Sequence, residues 1–290
     1  MQKIISYLIY KTITAIAFLF SLFPRKLNLL LGKNLGVIVY LIGIRKKVAK
    51  INLNIAFSNK NDFEIEMMLI NCYRHFGMVI IDFLTQHSIK RRDISDYIVF
   101  NNKDKMLLKN SAGGVIMTAH FGNWEALLPA FGVNNIQMNA VIKEQKNKII
   151  NDLYIKARSF QNIELLLKHE SLNKLYDTIS EKKFIGLACD QSVRNKGIKN
   201  NFFSKNASFS KGSGIFYSRT NCSIFVVFCI LGSDYKYHIF VKPLTSSESD
   251  EEKIISDITS QYVTILEKKI IQNPCQYFWF HKKWDKNIYK

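Results

Sequence analysis

Two residues able to move a proton, His120 and Glu125, stand close together in Thr118-Ala119-His120-Phe121-Gly122-Asn123-Trp124-Glu125. A carboxylate beside one imidazole nitrogen fixes the tautomer and stabilises the imidazolium, leaving the other nitrogen as a general base. Ahead of them the apolar run Val115-Ile116-Met117 predicts a strand, and Ala126-Leu127-Leu128-Pro129-Ala130-Phe131 behind predicts a helix. A histidine at the C-terminal end of a strand faces the crevice where α/β sheets place their sites. Gly122 lets the backbone turn sharply, Asn123 suits the helix N-cap, and Glu125 in the first turn can fold back on His120. Backbone amides at the start of that helix offer a place for developing negative charge. Together these features suit transfer of an acyl group to a hydroxyl. The bare His-x4-Glu pattern is common, and a capping turn without chemistry also satisfies it.

The elements around this turn follow from hydrophobic periodicity. Up to about residue 90 the chain predicts helices: Leu27 to Ile44, Lys46 to Phe57, and Phe63 to Leu84 with Asp62 near its start. Strands and helices then alternate. Strands are expected at Tyr97 to Phe100, Gly114 to Ala119, Met138 to Val141, Ile163 to Leu166, Phe184 to Cys189, Ser223 to Ile230 and Tyr237 to Val241. Helices are expected at Lys103 to Lys109, Lys146 to Phe160, Ser171 to Ser180, Ser210 to Thr220 and Asp250 to Lys269. The alternation between 97 and 242 indicates an α/β sandwich.

Composition narrows the setting. The 290 residues are 48% hydrophobic with a formal charge of +18, which excludes a disordered chain and calls for an anionic partner. Residues 1–60 hold ten Lys or Arg and no Asp or Glu, amid Leu, Ile, Val and Phe. Basic and apolar together favour an anionic membrane surface, each surface Lys or Arg adding roughly 1 kcal/mol of attraction there. A nucleic-acid binder would set its basic residues on a polar face with exposed aromatics, so no nucleic-acid partner is expected. Cys72, Cys189, Cys222, Cys229 and Cys275 are odd in number and widely spaced, consistent with reduced buried thiols and no metal site. Ile4 to Pro24 is apolar apart from Lys11, which can snorkel from near one end. No small-residue cleavage site follows it, so it is expected to be a retained anchor that either spans once or lies in the interface. The basic flank at Arg25, Lys26 and Arg45-Lys46-Lys47 places the remainder on the cytoplasmic side.

His-Phe-Gly-Asn-Trp-Glu resembles the His-x4-Asp/Glu signature of the lysophospholipid acyltransferase superfamily and, more narrowly, the bacterial lipid A late acyltransferases. Further motifs in family order extend the resemblance over nearly the whole chain. They are Ala49-Lys50-Ile51-Asn52-Leu53-Asn54-Ile55-Ala56-Phe57, Gly186-Leu187-Ala188-Cys189-Asp190-Gln191, Phe202-Phe203-Ser204-Lys205-Asn206-Ala207 and the Gly212-opened helix. The series closes with Pro274-Cys275-Gln276-Tyr277-Phe278-Trp279-Phe280-His281-Lys282-Lys283-Trp284. One motif departs: where the family has Tyr-Arg-Pro-x-Lys-Asn-Pro, this chain has Ile142-Lys143-Glu144-Gln145-Lys146-Asn147-Lys148. Lys143 keeps the charge of the family's Arg and loses its planar fork.

The resemblance implies an acyltransferase-like αβα sandwich with a mixed central sheet, preceded by N-terminal membrane-associated helices. Its expected division is an anchor over 1–30 and an acyltransferase domain over 31–290, helical to 90 and α/β beyond. The implied activity is acyl transfer from an acyl–acyl carrier protein (acyl-CoA being the other donor) to a hydroxyl of a lipid A precursor, without a resident cofactor. His120 is the expected base and Glu125 its partner, with Asn123 and Lys143 at the oxyanion or substrate. Asp190 is expected either to pair with Lys143 across neighbouring strand ends or simply to cap the following loop. Expected partners are an acidic carrier protein and an anionic lipid acceptor at the cytoplasmic face of the cell inner membrane. Other outcomes consistent with the residues are acylation of another glycolipid or a lysophospholipid, or a non-catalytic membrane-binding protein.

The remaining candidates carry weaker signals. His281, Lys282, Lys283 and Trp284 form a basic–aromatic group expected to face headgroups. Trp124 and Trp279 are expected in the core or lining an acyl channel. Arg194, Lys196 and Lys199 are expected in a solvated basic loop that could instead meet acceptor phosphates or a carrier. His75, His87, His169 and His238 stand alone, as structural or exposed residues.

Overall fold

A computed structural model describes residues 2–86, 94–145, 147–167 and 172–290. His87, Lys146 and His169 lie outside them. Four helices come first: α1 (Gln2–Ser21), α2 (Arg25–Ile42), α3 (Lys46–Ala56) and α4 (Asp62–Thr85). Pro24, which cannot donate an amide hydrogen bond, separates α1 from α2, and the Gly43 turn at φ 81° bends α3 away from α2 by 101°. The α4 start is a capping box, Asn61 accepting from the Glu64 amide while Glu64 accepts from the Asn61 amide, and Asp62 stands in the first turn as expected. α4 is the one described helix that is by itself long and apolar enough to cross a membrane, yet 56% of its most apolar window is buried within the protein. It is the core helix on which the others pack.

Beyond it lie α5 (Ile94–Tyr97), β1 (Ile98–Val99), α6 (Asn102–Asn110), β2 (Gly114–Thr118), α7 (Leu127–Val133), β3 (Met138–Ile142), α8 (Lys148–Arg158) and β4 (Ile163–Leu167). Then follow α9 (Leu172–Ser180), β5 (Phe184–Ala188), β6 (Ile198–Phe202), β7 (Lys205–Phe209), α10 (Gly212–Thr220), β8 (Ile224–Leu231), β9 (Tyr237–Leu244) and α11 (Glu251–Gln272). Seven strands form one sheet in the order β1-β9-β8-β2-β5-β3-β4. Strands β8, β2, β5, β3 and β4 run parallel, while β9 returns antiparallel to β8, so the sheet is mixed as expected. Both faces are covered, since the period-two pattern sends Val115 and Met117 into one core and Ile116 into the other. The first core takes α3, α4, α10 and α11, and the second takes α6 and α7.

One hairpin was not expected. β6 and β7 form a separate antiparallel hairpin, so Lys199 sits in a strand rather than in a basic loop, while Arg194 and Lys196 are exposed before it. The stretch Ile198-Lys199-Asn200-Asn201-Phe202 has too little apolar alternation to announce a strand.

The N-terminal helices join the body through small residues. α2 buries Asn28, Leu29, Gly32 and Gly36 against α4. A Cβ on Gly36 would lie 2.0 Å from the Tyr73 carbonyl oxygen, so only glycine permits that approach. The opposite faces of α1 and α2 leave large apolar side chains in the open, including Phe18, Leu19, Leu30, Ile38, Leu41 and Ile42. Gly36→Leu is therefore expected to push α2 off α4 and destabilise the protein by on the order of 3 kcal/mol, read as a lowered thermal transition.

Candidate active site

Strand register explains which side chains meet. β2 and β5 pair in parallel with Thr118 opposite Ala188. The hydrogen bond from the Cys189 amide to the Thr118 carbonyl (2.9 Å) carries the two chains forward together. Two residues beyond that pair come His120 and Asp190, and His120 Nδ1 lies 2.8 Å from Asp190 Oδ1. The carboxylate on the histidine is thus Asp190, not Glu125. Glu125 is turned to Arg158 at the end of α8, in a bidentate pair of 2.8 and 2.6 Å, and also accepts from the Trp124 indole at 3.1 Å. A planar guanidinium holds both carboxylate oxygens at once, and this removes Glu125 from the ring. Glu125 still acts on His120 through space.

Asp190 does not pair with Lys143. β3 and β5 last register at Ala140 and Gly186, so the strands part before Lys143, which is exposed. The cation beside Asp190 is Lys283. Its ammonium is buried, donates to the carbonyls of Asp190 (2.6 Å) and Ser208 (3.0 Å), and lies 3.3 Å from the centre of the Phe209 ring. Burial pushes this lysine down to about 7, with Asp190 opposing the shift. Lys283 and the buried Trp284 therefore belong to the interior, not to a headgroup-facing patch.

The electrostatics of the pair are set by opposed causes. Asp190 is 2% exposed, and burial favours its neutral form. His120 opposes that by charge and by hydrogen bond, with Lys283 adding to it, and the carboxyl is held below its usual range. Burial likewise disfavours the imidazolium, but Asp190 and then Glu125 outweigh it, so His120 is raised above its ordinary 6.5. The buried Tyr277 hydroxyl lies near the same carboxylate, and burial together with that charge pushes the phenol well up. Nδ1 is fully engaged, which leaves Nε2 for chemistry.

The turn that carries His120 is clamped from three sides. Gly122 has φ +63°, and a Cβ there would fall 1.9 Å from the Cys229 carbonyl oxygen. Its amide donates to the Gln276 carbonyl, the Asn123 amide donates to the Cys229 carbonyl, and the Phe278 amide donates to the His120 carbonyl. His75, buried and pushed down to about 4 by that burial, sits on the Gly122 carbonyl at 3.2 Å. Asn123 caps the short 3-10 turn Trp124–Ala126, as expected, with Oδ1 accepting from the Ala126 amide. His238 is exposed beside Asp234.

The closing motif supplies more of the site than its sequence announced. Asn52 on α3 donates to the carbonyls of Trp279 (2.6 Å) and His281 (2.7 Å) and accepts from the Tyr289 hydroxyl. Fixed in this way, the segment places Phe278 and His281 against His120, with ring centres 6.3 and 5.5 Å away. Trp124 completes the wall at 4.8 Å. Trp279 is buried in the core. Gln191 stands between the two histidines: its amide nitrogen is 3.3 Å from His120 Nε2 and 2.9 Å from His281 Nε2. Residues Arg158, Gln191, His281 and Lys283 were not singled out as members of the site, although all but Arg158 lie inside motifs that were. No group of His, Cys, Asp and Glu among the described residues could hold a metal ion.

A family described as bacterial lipid A biosynthesis acyltransferase matches residues 2–286. The chain is 21% identical over 248 residues to the lipid A biosynthesis palmitoleoyltransferase of Escherichia coli (strain K12), covering 82% of this chain and 78% of that protein. It is similar to the same extent to the lipid A biosynthesis acyltransferase of Shigella flexneri.

Two outcomes test the site. Asp190→Asn is expected to lower the His120 pKa, seen as a downfield-to-upfield ring titration at lower pH by NMR. Arg158→Ala leaves the buried Glu125 carboxylate without its partner and is expected to cost about 3–5 kcal/mol in denaturant unfolding.

Proposed function

This chain belongs to the bacterial lipid A biosynthesis acyltransferase family and is an acyltransferase, and from that premise we propose that His120 is the general base of a direct transfer. The observation that carries the proposal is the ring itself: Nδ1 is held on a buried carboxylate and Nε2 faces the rim of the site. The acceptor hydroxyl gives its proton to Nε2 as its oxygen bonds to the thioester carbon. The carbonyl π pair moves onto oxygen. The tetrahedral intermediate then returns that pair, the C–S bond breaks, and the leaving thiolate takes the proton from His120. No acyl-enzyme is needed. Cys189, the thiol next to Asp190 in sequence, is buried, bonded toward Ser213 and Leu187, and pushed up to about 12 by its burial. A thiol so poised is a poor nucleophile.

The proposed donor is an acyl–acyl carrier protein, or acyl-CoA, and the proposed acceptor a hydroxyl of a lipid A precursor at the cytoplasmic face of the inner membrane. Three features support that setting. The first 60 residues are basic without an acid, α1 and α2 expose apolar faces, and Arg45 in the turn before α3 is close enough to act on His281. Lys143 is proposed to meet an anionic group of the substrate, and the amides opening the turn after Asn123 to assist at the carbonyl oxygen.

Labelled acyl transfer tests the proposal. His120→Ala is expected to lower kcat by about 10²–10⁴-fold, the usual worth of a general base. In the wild type kcat/KM should rise with pH as His120 loses its proton, with its midpoint above 6.5 because Asp190 raises the ring. Unchanged transfer by His120→Ala would sink the assignment of the base, and absence of any lipid product from the wild type would sink the choice of acceptor. Mass spectrometry of lipid A from a deletion strain, one acyl chain short, checks the acceptor in the cell.

A further inference from the structure

With His120 committed to the proton and Asp190 to His120, one task in the transfer lacks a well-placed side chain: binding the oxygen that becomes negative. Asn123 is fully buried and spends Oδ1 on the Ala126 amide, with Nδ2 turned to the Tyr97 hydroxyl at 3.5 Å. Lys143 follows a strand that has already parted from β5. Gln191 is different. It is exposed, follows Asp190 directly, and its amide nitrogen lies within reach of both Nε2 atoms. The shorter contact, 2.9 Å, is to His281.

We propose that the Gln191 carboxamide is the side-chain donor to the thioester oxygen in the transition state, and that His281 is the positioning residue that aims it. Two N–H bonds leave the amide nitrogen. One is held by His281 Nε2. The other points to His120 Nε2, the place that the acceptor hydroxyl must take. When the hydroxyl arrives it displaces this second N–H, which then has the reacting carbonyl as its neighbour and can donate to the oxygen as the π pair reaches it. No proton is transferred from the amide, and the bond is strongest when the charge is greatest, which is the requirement for lowering a barrier. His281 suits its part as a neutral acceptor, being pushed down to about 4 first by burial and then by His120. Its backbone is held in turn by Asn52, which donates to the His281 carbonyl, and its ring packs on Phe278 at 4.7 Å between ring centres.

The proposal rests on His120 as the base, and the test separates the two. Purified full-length wild type, His120→Ala, Gln191→Ala, Gln191→Glu, His281→Ala, His281→Gln and the Gln191→Ala/His281→Ala double variant are assayed with labelled acyl–acyl carrier protein and a hydroxyacylated lipid A precursor in mixed micelles. Gln191→Ala should lower kcat by about 10²–10³-fold, as loss of one oxyanion donor does, with KM for the acyl donor within about twofold. His281→Ala should lower kcat by about tenfold, His281→Gln should restore part of it, and the double variant should be no slower than Gln191→Ala. The acid limb of the pH profile should stay in place in Gln191→Ala, since the base is untouched. A Gln191→Ala enzyme within threefold of wild-type kcat, or one whose whole defect is in KM, overturns the donor role. A shifted acid limb overturns it as well, because Gln191 would then act only on His120. Multiplicative losses in the double variant overturn the positioning role of His281. Should the Ala variant melt early, Gln191→Glu keeps the shape, loses the donor, and must show the same fall in kcat. Transfer lost in His120→Ala and kept in Gln191→Ala overturns this inference alone. Transfer kept in His120→Ala overturns the base, and with it the frame of this inference.

Discussion

A full negative charge buried at Asp190 is the constraint from which much of this architecture follows. An ionised carboxylate out of water is costly unless cations and donors surround it. Here His120 comes from the neighbouring strand end, while the Lys283 ammonium and the Tyr277 hydroxyl come from the closing segment. That segment cannot drift, because its carbonyls are held by Asn52 on α3 and its backbone is bonded to the turn at Gly122 and His120. One charge thus binds the sheet, the first helical layer and the chain's closing motif into a single unit.

The second ion pair does different work. Glu125 and Arg158 join the turn after His120 to the end of α8, and the guanidinium also lies over the Tyr154 ring. The pair leaves Glu125 as a steady source of negative potential near His120 rather than as its hydrogen-bond partner. Two carboxylates therefore raise the same histidine, one through a hydrogen bond and one through space. Around them Trp124, Phe278 and Phe76 form an aromatic wall, which lowers the local dielectric and strengthens every charge interaction within it.

Much of this was legible in the residues, for reasons that particular elements make clear. α4 and α11 follow from apolar side chains at helical spacing, and β2, β5 and β8 from short apolar runs between turns. The turn after β2 could be placed because Gly122 and Asn123 announce their backbone roles. Partners across space were not legible. Glu125 stands five residues from His120 in sequence and still turns elsewhere, since Arg158 offers two donors where the imidazole offers one. Pairing with Lys143 was one of two readings of Asp190, argued from neighbouring strand ends, but β3 leaves β5 too early. Lys283 looked like a surface cation because lysine is seldom buried, and only the fold shows the two carbonyls and the Phe209 ring that receive it.

The candidate site is assembled from stretches far apart along the chain: Asp190 lies 70 residues beyond His120, and His281 another 90 beyond Gln191. Synthesis delivers these stretches in order. The apolar, basic helices α1 and α2 leave the ribosome long before the segment that completes the histidine's surroundings. The early elements are thus made while the surroundings of His120 are incomplete, and only the closing segment brings His281 and Lys283 to them. A chain cut between β9 and that segment would keep the strand ends that bring His120 to Asp190 and lose the ring and the ammonium that stand beside them.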